Sequence, residues 1–166
     1  MDSGRTVVIG VGNEYRRDDG AAVAVLAELA ATGLAADRIT LCDGEPTRLM
    51  DLWEGADLAV VVDAVRADPG EPGRIRLVAV DADHLLADPL ADEETAAGTH
   101  GLGLGHGVAL AAALGKLPRE LLIVAVEGQD FSIGEGLSPA VAAAVPQVVA
   151  EVRRAVDAHR GRGTGP

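Results

Sequence analysis

The sequence has 166 residues, 48% of them hydrophobic but only 2% aromatic, so one domain of ordinary size must build its core from aliphatic side chains. Its 14 lysines and arginines against 26 acidic residues give a formal net charge of −12. Because nucleic acids and anionic membranes are bound mainly through positive charge, neither is expected as a partner, whereas a cation or a basic partner is.

Strands and helices are predicted to alternate along the first half of the chain. Short β-branched apolar runs indicate strands, and longer stretches with helical spacing indicate helices. The predicted elements are a strand at 6–11, a helix at 21–31, a strand at 38–42, a helix at 47–54 and a strand at 58–65. The last of these strands is apolar almost throughout, which predicts that both of its faces are buried.

The second half begins with a strand of different character. Residues 74–80 alternate in polarity, which is typical of a half-exposed strand at an edge or in antiparallel pairing. The acidic segment 81–98 is expected to be an irregular, solvated loop. The remaining predicted elements are a helix at 102–114, a strand at 120–126 and a last helix that begins at Ser138-Pro139 and that Pro146 kinks or restarts.

This order of elements predicts an α/β fold in three layers. A twisted, mainly parallel five-stranded sheet with one antiparallel strand would lie between helices on both faces. One domain is expected over residues 1–160, followed by a flexible tail at 161–166. In such sheets ligands bind beyond the carboxyl ends of the strands, so functional residues are expected there.

The single cysteine, Cys42, excludes an intramolecular disulfide and a multi-cysteine metal site. Its place at the end of an apolar strand predicts a small core residue. The low cysteine content, and an N-terminus without the basic and apolar regions of a signal peptide, predict a cytoplasmic protein. No stretch of the sequence contains the roughly 20 apolar residues that a transmembrane helix needs.

Acidic residues at the carboxyl edge are the first candidates for function. Asp63 interrupts a buried apolar strand, and an unpaired carboxylate there is costly, so a cation or hydrogen-bond donors must lie near it. Asp18 and Asp19 precede the first helix, which one carboxylate suffices to cap. Asp18 is predicted to be the cap and Asp19 to project into the cleft, although a capping role for Asp19 stays open.

His100 lies just before a glycine-rich helix start, and by itself it would be explained as a capping residue. Together with Asp19 and Asp63 it forms a familiar set of ligands for a divalent metal, since imidazole suits zinc and nickel and carboxylates fill the other positions. Three protein ligands leave positions open for water or substrate. The His-Glu-x-x-His signature of zinc proteases is absent from the sequence.

Nucleotide binding and serine chemistry have weaker support. A dinucleotide fingerprint requires a glycine where Tyr15 stands, and two carboxylates at the start of the first helix would repel a phosphate. The sequence has no Gly-x-Ser-x-Gly nucleophile turn, and Ser138 is explained as an N-cap. A nucleotide-binding α/β domain stays open as an alternative function.

Short motifs follow one another along residues 6–154. They are Ile9-Gly10-Val11-Gly12-Asn13, Asp19-Gly20, Asp43-Gly44, Val62-Asp63-Ala64, Thr99-His100-Gly101, Glu127-Gly128 and Leu137-Ser138-Pro139. In this order they resemble the motifs of the [NiFe]-hydrogenase maturation endopeptidases. The opening motif is moderately specific by itself, and the ordered set is strongly so.

The resemblance implies a metal-dependent endopeptidase that removes a short C-terminal extension from a hydrogenase large-subunit precursor after nickel insertion. Asp19, Asp63 and His100 would be its catalytic and metal-contacting residues, and nickel, carried by the precursor, its cofactor. The segment Glu45-Pro46-Thr47 replaces a more glycine-rich stretch of some relatives, which affects the cleft but none of the three residues. The main alternative is a non-catalytic metal-checkpoint or chaperone protein that binds the same precursor through the same residues.

Overall fold

The protein was analysed as a computed structural model that describes residues 4–67, 69–80 and 104–163. The strands within these ranges are β1 (Thr6–Val11), β2 (Arg38–Cys42), β3 (Leu58–Val65), β4 (Ile75–Val80) and β5 (Glu120–Glu127). The helices are α1 (Ala21–Ala31), α2 (Pro46–Trp53), α3 (Gly105–Ala113) and α4 (Pro139–Gly163), and a short 3₁₀ turn at Arg17–Gly20 precedes α1.

The strands form one sheet, which in the described ranges has five strands in the order β2-β1-β3-β5-β4. The pairs β1–β2, β1–β3 and β3–β5 are parallel, and β4 runs antiparallel to β5 at one edge. The fold class predicted from the sequence is therefore confirmed, including the one antiparallel strand. Parallel pairing places the carboxyl ends of β1, β2, β3 and β5 along one edge of the sheet, called here the carboxyl edge.

Helices cover both faces of the sheet. Helices α1 and α4 pack on one face, in a core that includes Val60 of β3, and α2 and α3 pack on the other, in a core that includes Val61. Successive side chains of a strand point to opposite faces, so a strand buried on both sides must be apolar at nearly every position. All eight residues of β3 are buried, which explains its continuous apolar sequence and makes its one acidic residue conspicuous.

Three helices differ from their predictions. Helix α3 covers Gly105–Ala113, where 102–114 was predicted. Helix α2 starts at Pro46, where the Glu45 side chain accepts hydrogen bonds from the next backbone N–H groups and caps the helix. Helix α4 continues through Pro146 without a restart. The hydrogen bond that Pro146 cannot make belongs to the exposed Ala142 carbonyl, where water can replace it.

The predicted tail and the predicted acidic loop lie partly or wholly outside the described residues. Helix α4 extends to Gly163, three residues into the segment 161–166, and residues 164–166 lie outside the described ranges. Residues 81–103, which include the predicted acidic loop, also lie outside them. Among the helices that the structure does describe, none is long and apolar enough to cross a membrane.

Candidate functional site

Asp63 lies within β3 and not at its end, because the strand continues for two more residues to Val65. It pairs with Val11, the last residue of β1, and with Ala125 of β5. Its residue is only 6% exposed. By the alternation of side chains it belongs to the same face as Val61 and Val65, which is the face covered by α2 and α3.

The ionisation of Asp63 is unfavourable in this position. Burial raises the pKa of its carboxyl group well above the usual value, and the negative charge of Asp19 raises it further. The backbone N–H of Ala64 opposes the shift only in part. The structure thus brings Asp19 and Asp63 close enough for their charges to interact, and the pair favours a proton or a cation between them.

The loop after β1 fixes the position of Asp19. The backbone N–H of Asn13 donates to both the backbone oxygen of Asp19, at 3.1 Å, and its carboxylate Oδ2, at 2.9 Å. Gly12 has a φ of +153°, and a Cβ atom there would collide with the Asp19 carbonyl oxygen. The close approach of the two segments therefore requires glycine at position 12.

Asp18 has a different role from the predicted helix cap. The N-cap of α1 is Gly20, which makes no side-chain capping bond. Asp18 is fully buried and turns away from its own helix. It accepts four hydrogen bonds from the segment after β5, namely from the N–H groups of Gln129 (2.8 Å), Asp130 (2.9 Å) and Ser138 (2.7 Å) and from the Ser138 hydroxyl (2.8 Å).

These four donors decide the charge state of Asp18. Burial alone would raise its pKa, but the backbone N–H groups of Ser138, Asp130 and Gln129 and the Ser138 hydroxyl together hold the pKa below its usual value. Ser138 immediately precedes α4, so one buried carboxylate joins the loop after β1 to the start of the last helix. Asp18 is thus occupied structurally, which leaves Asp19 as the acid available to a ligand.

His100, the third predicted ligand, lies outside the described residues. Within the described ranges, no group of three or more histidine, cysteine, aspartate or glutamate side chains is placed to hold a metal ion. In the sequence His100 stands five positions before α3, the helix that covers the face to which Asp63 belongs. Asp19 and Asp63 fit a cation by their chemistry, because a positive charge between them would offset the burial and repulsion that disfavour ionised Asp63.

Glu127 is a buried acid to which the sequence analysis gave no role beyond its place in a motif. It ends β5, is 3% exposed and belongs by alternation to the same sheet face as Asp63. Its Oε2 atom has no hydrogen-bond partner, and the Nε atom of Arg74 lies 3.9 Å away. The signal that identified Asp63, an acid in an apolar buried strand, was present here too.

Arg16 and Arg17 connect the loop after β1 to the segment after β5. The Arg16 Nε atom donates to the Phe131 carbonyl at 3.3 Å, and Arg17 Nε lies 3.6 Å from the Asp130 carboxylate. Cys42, in contrast, is buried among the side chains under α2, as predicted for a small core residue. Burial raises the pKa of its thiol.

Sequence comparison adds independent information on the family. The family model named HycI, hydrogenase maturation protease, matches residues 23–155, well over half of the chain. Asp63 and His100 lie within this range, and Asp19 lies just before it. A curated relative, the hydrogenase expression/formation protein HupD of Bradyrhizobium diazoefficiens, is 30% identical over 141 residues, which cover 82% of this chain and 70% of HupD.

Solved structures of similar fold include two hydrogenase maturation peptidases. The hydrogenase maturating endopeptidase HybD of E. coli superimposes with a TM-score of 0.70 at 22% identity, over 92% of each chain. The hydrogenase 2 maturation peptidase of Thaumarchaeota archaeon SCGC_AB-539-E09 gives a TM-score of 0.67 at 26% identity, over 92% of this chain and 97% of the other. At 22% identity the likeness to HybD demonstrates the fold alone.

Proposed function

Because the chain belongs to the hydrogenase maturation protease family, we propose that it removes the C-terminal extension of a [NiFe]-hydrogenase large-subunit precursor after nickel insertion. The supporting observation is Asp63, a buried acid whose pKa is raised by burial and by Asp19 at the carboxyl edge. Such a pair has little use in a stable core, but it suits a protein that must bind a cation brought by its substrate.

In this proposal the nickel ion belongs to the precursor, and Asp19, Asp63 and His100 hold it. Asp19 is already oriented by the Asn13 N–H before any ion arrives. Without the ion, the raised pKa of Asp63 favours its protonated form, and arrival of the ion releases that proton. A bound ion supplies positive charge that can polarise the scissile carbonyl group.

Nickel-dependent selection of the substrate follows from these charges. A precursor without nickel brings no positive charge for Asp19 and ionised Asp63 to bind, so it gains less binding energy at the site than the nickel-loaded form. The formal charge of −12 agrees with a partner that presents a cation, and disfavours nucleic acid and anionic membrane as partners. We place the reaction in the cytoplasm and assign it to a single domain over residues 1–160.

The experiment that tests the proposal is mass spectrometry of a purified large-subunit precursor from the same organism, incubated with the protein in its nickel-loaded and nickel-free forms. We expect a shortened C-terminus with the loaded form only. Asp63→Asn should lower the cleavage rate by roughly 100-fold or more, since it removes a proposed ligand. Asp157→Asn, a change of an exposed aspartate on α4, serves as the control and should cleave normally.

Three outcomes would count against parts of the proposal. Normal cleavage by Asp63→Asn would remove Asp63 from the site. Equal cleavage of the nickel-free precursor would remove the role of the ion. A nickel-loaded precursor that binds the protein but keeps its full mass would replace the protease by the non-catalytic checkpoint protein.

A further inference from the structure

Strand β2 leaves one side of its backbone open. It forms the edge of the sheet opposite β4, and within the described ranges it pairs with β1 alone. The Cys42 carbonyl accepts a hydrogen bond from Gly12 N–H at 3.3 Å, so the backbone polar groups of Cys42 face β1. Because these groups alternate along a strand, those of Ile39 and Leu41 face away from the sheet.

A cleft of about 630 Å³ runs along this open edge. Arg38, Thr40 and Leu41 of β2 line it, and it lies between Val23 of α1 and Leu52 of α2. Edge strands of natural proteins are usually shielded by a covering element, a proline, a bulge or an inward-pointing charge. Among the described residues β2 has no proline and no covering element, so nothing in this part of the chain blocks the pairing of an added strand.

Exposed apolar side chains also line the cleft. Leu41 is 48% exposed and Tyr15 is 58% exposed, and both line the cleft. In a partner that adds as a strand, every second side chain would point to the same face as Leu41. An extended peptide could therefore pair its backbone with the outward N–H and C=O groups of β2. Its apolar side chains could pack against Leu41 and Tyr15.

One end of the cleft reaches the candidate site. Gly12 and Asn13 line it, and the Asn13 N–H is the group that holds the Asp19 carboxylate. Asp43, the residue that follows β2, lines the same end and forms an ion pair with Arg48 at 2.6 Å. A peptide bound along β2 would therefore extend to the carboxyl edge beside Asp19.

We propose that the precursor's C-terminal segment binds as an added strand along β2, with its backbone paired to Ile39 and Leu41. The inference rests on the proposed function, because it takes the substrate to be a peptide whose cut site must reach Asp19. Backbone pairing would supply affinity that depends little on sequence, while the side chains at Leu41 and Tyr15 would select apolar residues at alternate positions.

Proline substitution tests the role of the backbone. Leu41→Pro removes the N–H that faces the cleft and leaves the hydrogen bond between Cys42 and Gly12 in place. Leu77→Pro in β4 is the matched control: Leu77 is 51% exposed on the opposite edge. Its N–H points away from β5 by alternation, since the Arg74 carbonyl accepts the hydrogen bond from Glu127 N–H.

We expect Leu41→Pro to raise the KM for the nickel-loaded precursor at least tenfold, and Leu77→Pro to change it less than twofold. Leu41→Ala keeps the N–H and loses only the side chain, so its KM should rise by a smaller factor than that of Leu41→Pro. An unchanged KM in a folded Leu41→Pro protein would overturn strand addition. It would leave the protease proposal intact, provided that the wild type still shortens the precursor.

Hydrogen exchange gives a test that depends on neither the variants nor cleavage. Wild-type protein is mixed with a saturating concentration of the whole nickel-free precursor, which it is not expected to cleave, and exchange of backbone amides is followed by mass spectrometry with fragmentation. The Leu41 and Ile39 amides should exchange at least tenfold more slowly with the precursor present, while the Leu77 amide stays unchanged. Unaltered exchange at Leu41 and Ile39 in a saturated complex would contradict the proposal even if Leu41→Pro failed to fold.

Discussion

Two buried aspartates of this molecule have opposite environments. Asp18, which is 0% exposed, accepts hydrogen bonds from three backbone N–H groups and one hydroxyl, and its pKa is lowered in spite of burial. Asp63, which is 6% exposed, meets the charge of Asp19 and a single N–H donor, and its pKa is raised. Both lie at the carboxyl edge, yet only one has its charge satisfied by the protein.

The comparison teaches that burial alone does not indicate function. A buried carboxylate with a full set of donors stabilises the fold, because each charge-assisted hydrogen bond offsets part of the lost hydration. A buried carboxylate beside a second acid costs stability, and its retention suggests a ligand that has yet to arrive. Of the two neighbouring acids, Asp18 thus has the structural role and Asp19 the proposed cation-binding role.

The largest expected effect on stability follows replacement of Asp18. Asp18→Asn exchanges one acceptor oxygen for an N–H₂ group that faces backbone donors, so buried N–H groups lose their partners. We expect the free energy of unfolding to fall by about 3 kcal/mol, measured from urea denaturation at neutral pH. The exposed Asp157→Asn variant should stay within about 0.5 kcal/mol of the wild type. A loss below about 1 kcal/mol would show that Asp18 does not hold the two loops together.

An effect of opposite sign is expected at Asp63. In protein freed of metal by a chelator, Asp63→Asn removes a carboxyl group that is ionised in the unfolded chain, whereas burial and Asp19 disfavour its ionised form in the folded protein. The free energy of unfolding at neutral pH should therefore rise by roughly 0.5–2 kcal/mol, as is common when a strained functional residue is replaced. The same variant is expected to lose cleavage. If it were instead destabilised as strongly as Asp18→Asn, Asp63 would have to be regarded as a structural residue.

The fold could be predicted largely from local sequence patterns. Strand β3 is apolar because both faces are covered, and β4 alternates because it is an antiparallel edge strand. Such patterns depend on each element's own surroundings, so they are visible in a short stretch of sequence. The resemblance carried by the ordered motifs then indicated the family, which the sequence comparisons confirm.

The error at Asp18 has a physical cause. Its hydrogen-bond donors lie at Gln129, Asp130 and Ser138, more than 110 positions along the chain. A helix cap is the local explanation for an acid before a helix, and nothing within a few residues contradicts it. Glu127 is a different case, because its acid at the end of an apolar strand was visible in the sequence, and only its contact with Arg74 depends on the pairing of β4 with β5. The role of His100 stays a prediction.

The smallest expected effect, the dependence of stability on pH, separates the two acids by sign. The pKa of Asp18 is lower in the folded state than in the unfolded state, in which an aspartate has a pKa of about 3.9. As the pH falls, the unfolded state therefore binds a proton at Asp18 before the folded state does. Its stabilisation is complete above roughly pH 5 and is lost as pH falls through the folded pKa. Asp63 has a raised folded pKa, so stability falls as pH rises from about 3.9 through that pKa.

Urea denaturation of metal-free protein between pH 3 and pH 8 would test this difference of sign. Asp18→Asn should reduce the loss of unfolding free energy at low pH, because the variant lacks the carboxylate whose protonation causes that loss. This pH-dependent part is included in the ~3 kcal/mol expected for the variant. Asp63→Asn should flatten the decline toward higher pH and leave the acidic limb as in the wild type. If both variants altered the same limb, the two carboxylates would not have the opposite environments from which their different roles are inferred.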